Sequence, residues 1–424
     1  MRGAGKEKAG RLSDAALLEL VQRQTFAYFW DFAHPECGMP KERNHEHYTN
    51  VITTGGTGFG VMAIIVAVER GWITRGQAIK RLLKILTFLK TAEKHHGAFS
   101  HWLDGNTGRT IPFGKKDNGA DLVETAFLFQ GLLTVRQYFK RETPGEQKIR
   151  TMITTLWENV EWSWFTRERE VLYWHWSPDH KWAMNLKIEG YNEALITYIL
   201  AAAAPRYSIH KNVYEKGWTR NGALKNGKRF YNTLLPLGPD FGGPLFFAQY
   251  SFVGLNPNGL KDRFADYGKQ NRAQTKINYR YCVANPLKFK NYGKRSWGLS
   301  ACDYKRRYRE HSPTKDNGTI CCSAAISSIP YLPKESMAAL RYFYEVLGDK
   351  IFGKYGFTES FNETRNWYAA SYLAINQGPV ILMIENYRTG LLWKLFMQDK
   401  DVQKGLQKLG FAVSKKSTTK RAQQ

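Results

Sequence analysis

Cysteine is scarce and odd in number: Cys37, Cys282, Cys302, Cys321 and Cys322, with no C-x-x-C pair. That usage gives neither a disulfide framework nor a zinc site. Long apolar runs are also missing. The longest, "GVMAIIVAV" and "ALITYILAAAAP", fall short of the roughly 20 residues that cross a bilayer, so no transmembrane segment is expected. The opening stretch, "MRGAGKEKAGRLSDAALLEL", is basic but has no continuous apolar core. No signal peptide is visible, and the chain as written reads as cytoplasmic. Acidic residues are outnumbered: 37 Asp and Glu against 62 Lys and Arg leave a net charge of +25. Such a surplus favours an anionic partner, nucleic acid included. The basic residues are spread along the chain, however, with denser patches only at "YKRRYRE" (304–310) and in the tail "SKKSTTKRAQQ". No RNP, KH, zinc-finger or helix-turn-helix signature accompanies them. A solvated basic surface with no nucleic-acid partner is the expectation.

What the chain does have is length, apolar content and rings. Its 424 residues are 43% hydrophobic and 14% aromatic, enough for a large core and for a cleft that stacks on flat, hydroxylated ligands. Helical periodicity dominates. It predicts helices over 12–33, 57–72, 74–94, 119–140, 146–162, 190–204, 210–217, 244–252, 260–269, 319–329, 333–348, 379–396 and 400–409. Extended pieces interrupt them at 97–111, 171–185 and 355–362; D-G-N-T-G and S-P-D-H mark the first two as hairpins. Helical hairpins with little strand point to an all-α fold, an (α/α)6 toroid with short β-hairpin insertions near its cleft. No Gly- or Pro-rich linker divides the chain. The expected organisation is a flexible N-terminus (1–11), one domain (12–410) and a basic disordered tail (411–424), the whole a monomer.

In a toroid every second helix belongs to the inner ring, and the N-termini of those helices open on one face. Three segments place polar groups there. Asp117, Asp121 and Glu124 form an acidic stripe in "KKDNGADLVETAFLFQGLL". Glu189 and Glu193 precede an apolar, Ala-rich run in "KIEGYNEALITYILAAAAP". Asn376 and Gln377 stand before Pro379, which suits the first position of a helix. Any one of these is most simply a helix cap. Their coincidence on helices apolar nearly all round argues for a cleft, where burial and neighbours perturb carboxylate pKa values. In "YWHWSPDHKW", Trp174 and Trp176 share one strand face, for a sugar ring or for a helix, with Tyr173 and His175 on the other. His175, His180, His45 and His47 read as polar loop residues and lack a third ligand, so no metal site and no cofactor are expected. "TTGGTGFG" (53–60) has no Lys-Ser/Thr after it and reads as a close-packed helix entry. Arg43 pairs with Glu42 or Glu46 or reaches sugar hydroxyls, and Glu385 with Arg388 reads as an internal ion pair.

Several stretches together resemble the bacterial "putative glucoamylase" group, and within it the endo-β-1,2-glucanases of glycoside hydrolase family 144. They are "YFWDFAHPECGMPKER" (28–43), "TGFGVMAI" (57–64), "DNGADLVETAFLFQGLL" (117–133), "LYWHWSP" (172–178), "EGYNEALITYILA" (189–201), "LPLGPDFGGPLFFAQYSFVG" (235–254) and "NQGPVILMIENYRTGLLW" (376–393). The resemblance implies the toroid and endo-hydrolysis of β-1,2-glucan to sophorooligosaccharides with inversion, in a periplasmic or secreted setting. It implies that Glu193, the Glu of "YNEA", is the general acid and that Asp117 and Asp121 line the cleft. Around them, Asn376, Gln377, Glu189, Tyr191, Trp174, Trp176, Arg43 and Glu124 are the expected substrate-binding residues. One departure stands out: the family commonly has "IDQGP", and this chain has "INQGP" with Asn376. An amide cannot act as a general base, whose loss typically costs about 10²–10⁴-fold in rate. Three readings follow: Asp117 or Asp121 activates water, the acceptor has changed as in transglycosylation, or the protein binds glucan with little turnover.

Overall fold

The computed structural model describes residues 11–305 and 307–414. The first half of the chain folds into α1 (Asp14–Trp30), α2 (Thr54–Glu69), α3 (Arg75–Thr91), α4 (Leu122–Tyr138), α5 (Pro144–Glu158), α6 (Leu195–Ala203) and α7 (Lys211–Val213). The second half gives α8 (Tyr267–Ala284), α9 (Cys322–Ile326), α10 (Pro333–Glu345), α11 (Gly348–Ile351), α12 (Ala374–Arg388), α13 (Leu391–Met397) and α14 (Lys400–Leu409). The chain is helix-rich, with strands only two or three residues long. Among the described residues no helix is long and apolar enough to cross a membrane.

Helices α2, α4, α6 and α12 are buried nearly all round. Helix α2 lies between α4 and α12, and α4 reaches α6. The α2–α4 approach depends on glycine: a Cβ on Gly58 would lie 2.0 Å from the Phe127 carbonyl oxygen, and one on Gly131 2.0 Å from that of Gly58. This is the close packing expected of "TTGGTGFG". Outer helices such as α3, α5 and α10 bury one face only and carry capping signals, including the Thr74–Gln77 capping box and Pro144 at the start of α5.

Several buried helices begin directly after extended backbone. Val51–Thr53 leads into α2 and pairs with Trp102–Asp104 of the 97–111 hairpin. Ala120–Asp121 leads into α4 and pairs with His175–Trp176. Ile320–Cys321 leads into α9 and pairs with Ser360–Asn362, and Leu373, bridged to Arg43, precedes α12. These strand-to-helix junctions aim several helix N-termini at one region.

Some expected elements differ. The 260–269 helix is instead a strand, Leu260–Lys261, paired with Ala412–Val413, and α8 follows it. Residues 411–414, expected to be disordered, are thereby tied down; residues 1–10 and 415–424 lie outside the described residues. The 244–252 helix is two 3-10 turns. The 379–396 helix starts earlier, at Ala374, with Pro379 inside it rather than at its first position. It ends at Arg388 because Gly390 takes a left-handed conformation (φ +70°), and Asn386 turns its amide oxygen onto the Trp393 N–H at 3.2 Å.

Candidate active site

The helix N-termini meet at a cleft of two adjoining chambers, about 510 and 580 Å3, which share His101, Phe113 and Trp174 as a partition. The larger is walled by Asp117, Asp121 and His175 with Lys115 and Lys116 at its lip; the smaller holds Glu42, Arg43, Glu124, Glu193, Tyr250 and Glu310.

Asp121 caps α4 through Oδ1, which accepts the Val123 and Glu124 N–H groups at 3.0 and 2.9 Å. Its Oδ2 faces His101 Nδ1 at 3.1 Å and His175 Nε2 at 3.5 Å. Asp117 lies in the loop before the helix, not on it, with Oδ2 3.1 Å from His175 Nε2. Burial opposes ionisation of Asp121, but the two imidazoles outweigh it and hold the carboxyl well below its ordinary range. Burial likewise opposes protonation of the histidines, and the carboxylates override it. With Asp117 and Asp121 beside it His175 rises to about 10, and with Glu124 and Asp121 beside it His101 rises to about 9. The wall is therefore an array of alternating charges. The ligand atoms of His101, Asp117 and Asp121 lie within 4.8 Å of one another, a spacing one cation could bridge. His175 Nε2 lies between the two aspartates, 3.1 Å from Asp117 Oδ2 and 3.5 Å from Asp121 Oδ2.

Glu124, on the first turn of α4, accepts the Gly55 N–H at 2.7 Å. A Cβ on Gly55 would lie 2.5 Å from that oxygen, so only glycine admits the contact. Burial, then the charge of Asp121, raises Glu124 to about 7 against the pull of His101. Glu193 stands just ahead of α6, half-buried, its carbonyl held by the Ser251 hydroxyl. Burial pushes its carboxyl up to about 7, and the charges of Glu124, Asp121 and Glu310 add to the effect.

Of the residues singled out in the sequence, Glu193, Asp117, Asp121, Glu124, Trp174 and Arg43 line the cleft. Arg43 binds Glu42 at 2.6 Å and Asp303 at 3.3 Å rather than Glu46. The others lie elsewhere. Glu189 is exposed to solvent, and Tyr191 is core, its hydroxyl 3.1 Å from Asn271. Trp176 packs on His95 and Trp164. Gln377 is buried and donates to the Phe357 carbonyl. Asn376 lies beneath the cleft floor, 2% exposed and fully hydrogen-bonded. Glu385 and Arg388 do form ion pairs, but with Arg70 and Glu19, not with each other. His101, Glu42, Tyr250 and Glu310 were not anticipated, and His175 is a buried ion-pair partner rather than a polar hairpin residue.

The fold and the cleft define a class: a helix-rich protein whose helix N-termini surround a carboxylate-lined, aromatic-partitioned groove. The family whose model matches residues 185–400 is described as "Putative glucoamylase", and the chain belongs to it. A solved structure from Bacteroides uniformis described by the same words is 55% identical, covers 96% of this chain and 99% of its own, and superposes with a TM-score of 0.94. An endo-β-1,2-glucanase from Chitinophaga pinensis, solved with sophorotriose and glucose, is 50% identical over 95% of this chain and 99% of its own, with a TM-score of 0.93. An exo-β-1,2-glucooligosaccharide sophorohydrolase (non-reducing end) from Parabacteroides distasonis is 46% identical over 94% of this chain. The chain spans 58% of the length of that curated relative.

Proposed function

We propose that this chain is a glycoside hydrolase that cleaves β-1,2-linked glucan endo-wise, with inversion, in one (α/α)6 domain spanning residues 12–410. Support for the toroid comes from packing order: α2, α4, α6, the 245–252 turns, α9 and α12 each contact the next, and α12 returns to α2. Support for the substrate comes from the relatives just named. The observation that carries the chemistry is the Glu193 carboxyl, pushed up to about 7 in a cleft whose facing wall holds the fixed anion Asp121.

Glycoside hydrolysis needs a protonated carboxyl at the leaving oxygen and negative charge near the oxocarbenium-like centre. Glu193 donates the proton. Asp121 and Asp117, held by His101 and His175, form a preorganised wall of alternating charge in the adjoining chamber, fixed before any sugar binds. Trp174 and Phe113, at the junction of the chambers, offer faces for the flanking sugars. The reading of a glucan binder without turnover rested on Asn376, which does not line the cleft, so nothing favours it.

The test is reducing-end release from linear β-1,2-glucan. The parent is expected to cut, with kcat/KM falling as pH rises through about 7, where Glu193 loses its proton. Glu193→Gln should lower the rate by about 10²–10⁴-fold with an unchanged melting temperature. Wild-type rates in that variant would remove Glu193 from the role.

A further inference from the structure

We propose that Glu310 is a further catalytic residue of this cleft, the carboxylate that takes the proton from the attacking water. The assignment rests on the hydrolase reading above and supplies the group that reading leaves open.

An inverting mechanism requires a second carboxylate apart from the acid, with room for a water and an oxygen free to accept its proton. The acidic residues of the cleft differ sharply in that freedom. Arg43 clasps Glu42 through both oxygens, at 2.6 and 3.2 Å. Asp121 spends both oxygens on two backbone N–H groups and two imidazoles. Asp117 is bound to His175. Glu124 has one oxygen on the Gly55 N–H and shares its wall with Asp121. Glu310 is held differently. Its partner among the described residues is Lys315, 2.8 Å away, in a pair whose side chains are 38% and 62% exposed. Pairs that open to water contribute little and exchange easily, so this carboxylate is free to turn toward a ligand.

Position supports the same role. Glu310 follows the hairpin Cys302–Tyr304/Arg307–Arg309, an element distinct from the α4 wall and from the approach to α6 that carries Glu193. That hairpin is anchored at its base, where Asp303 binds Arg43 and the Ser371 hydroxyl and its carbonyl accepts the Ser360 hydroxyl. It delivers Tyr308 and Glu310 to the same chamber as Glu193, and the charge of Glu310 is felt there. In the step this implies, the water oxygen bonds to the anomeric carbon as the glycosidic C–O bond breaks. The leaving oxygen takes the Glu193 proton, Glu310 takes the water's proton, and solvent exchange restores both.

The experiment compares parent, Glu310→Gln, Glu310→Ala and Glu193→Gln on β-1,2-glucan, with and without sodium azide. Glu310→Gln should lose about 10²–10⁴-fold in kcat with KM within a few-fold and an unchanged melting temperature. Azide, which needs no general base, should restore turnover in Glu310→Ala and yield β-1,2-linked oligoglucosyl azides of inverted anomeric configuration, and should do nothing for Glu193→Gln. Near-parent kcat in Glu310→Gln would overturn the assignment while the Glu193→Gln loss left the hydrolase reading standing. Loss in Glu310→Ala without azide recovery would also overturn it, pointing to a positioning role. A parent chain that releases no reducing ends would remove both.

Discussion

Asn376 donates through Nδ2 to Glu359 Oε2 at 2.6 Å and to the Ala301 carbonyl at 3.0 Å, and its Oδ1 accepts the Tyr250 hydroxyl at 2.7 Å. Only an amide meets all three partners. Glu359 is 1% exposed, and burial raises its carboxyl well above the ordinary value. Asn376→Asp would remove both donors and set a second carboxyl against the first. The buried acceptors left without a donor should cost about 1–3 kcal/mol. The new pair could fold only while it holds a proton, so its pKa would be raised and the variant's stability would fall as pH rises. The expected result is a lower melting temperature than the parent's at pH 5 and a wider gap at pH 8, with no gain in hydrolysis. A large gain in rate would instead place residue 376 in the reacting cleft. Asp117, Asp121 and Glu193 were legible in the sequence because each precedes an apolar helix, and Glu124 because it opens one; Glu42 and Glu310 carry no such signal. His101 and His175 were not legible either, since a histidine in a hairpin acquires its partner only when Ala120–Asp121 pairs with His175–Trp176 across more than 50 residues of chain.

The buried helices were legible where they are apolar all round, and they are held by glycine. Gly58 and Gly131 sit at the α2–α4 crossing with no room for a methyl group on either side. Gly58→Ala must drive α2 away from the Phe127 carbonyl and with it shift Thr53, Gly55 and Glu124 at the cleft. Overpacking of this kind costs about 1–3 kcal/mol and more against rigid backbone. The variant should melt well below the parent and lose activity in parallel. Gly71→Ala is the control: its Cβ meets open space, and the left-handed φ of +70° should cost only about 1–2 kcal/mol and leave activity intact. Equal losses in the two would mean that the crossing is not tight. Helix α8 shows the opposite case. It buries Gln270, Asn271, Gln274, Thr275 and Asn278, so no apolar stripe announces it. Those amides serve the backbone of the 237–299 loops: Gln270 takes the Leu237 N–H at 2.8 Å, and Gln274 donates to Gly242 and Pro244. A helix chosen to satisfy loops looks like loop in sequence.

At the scale of the whole molecule, carboxylates gather at the site against the sign of the net charge. A chain of net +25 gathers Glu42, Asp117, Asp121, Glu124, Glu193 and Glu310 into its cleft. That arrangement sets how stability responds to pH. Glu124 and Glu193 rise from an ordinary 4.5 to about 7 on folding, so the folded state holds their protons more tightly than the unfolded chain. Their contribution is complete below about pH 4.5 and is lost as pH rises to 7. His101 and His175 rise from 6.5 to about 9 and 10, and their contribution is complete below 6.5 and lost toward pH 10. Asp121 acts in the other sense: its depressed value adds stability above about pH 3.8 that disappears in stronger acid, where the growing positive charge also opposes the compact state. The melting temperature should therefore peak near pH 5 and fall in two stages, across 4.5–7 and then 6.5–10. Glu124→Gln isolates one share, because the amide oxygen can still accept the Gly55 N–H while the titration is removed. Its melting curve should run flatter than the parent's between pH 5 and 7 and parallel to it above 7. A parent that becomes more stable from pH 5 to 9 would show that these cleft groups do not hold the protons assigned to them.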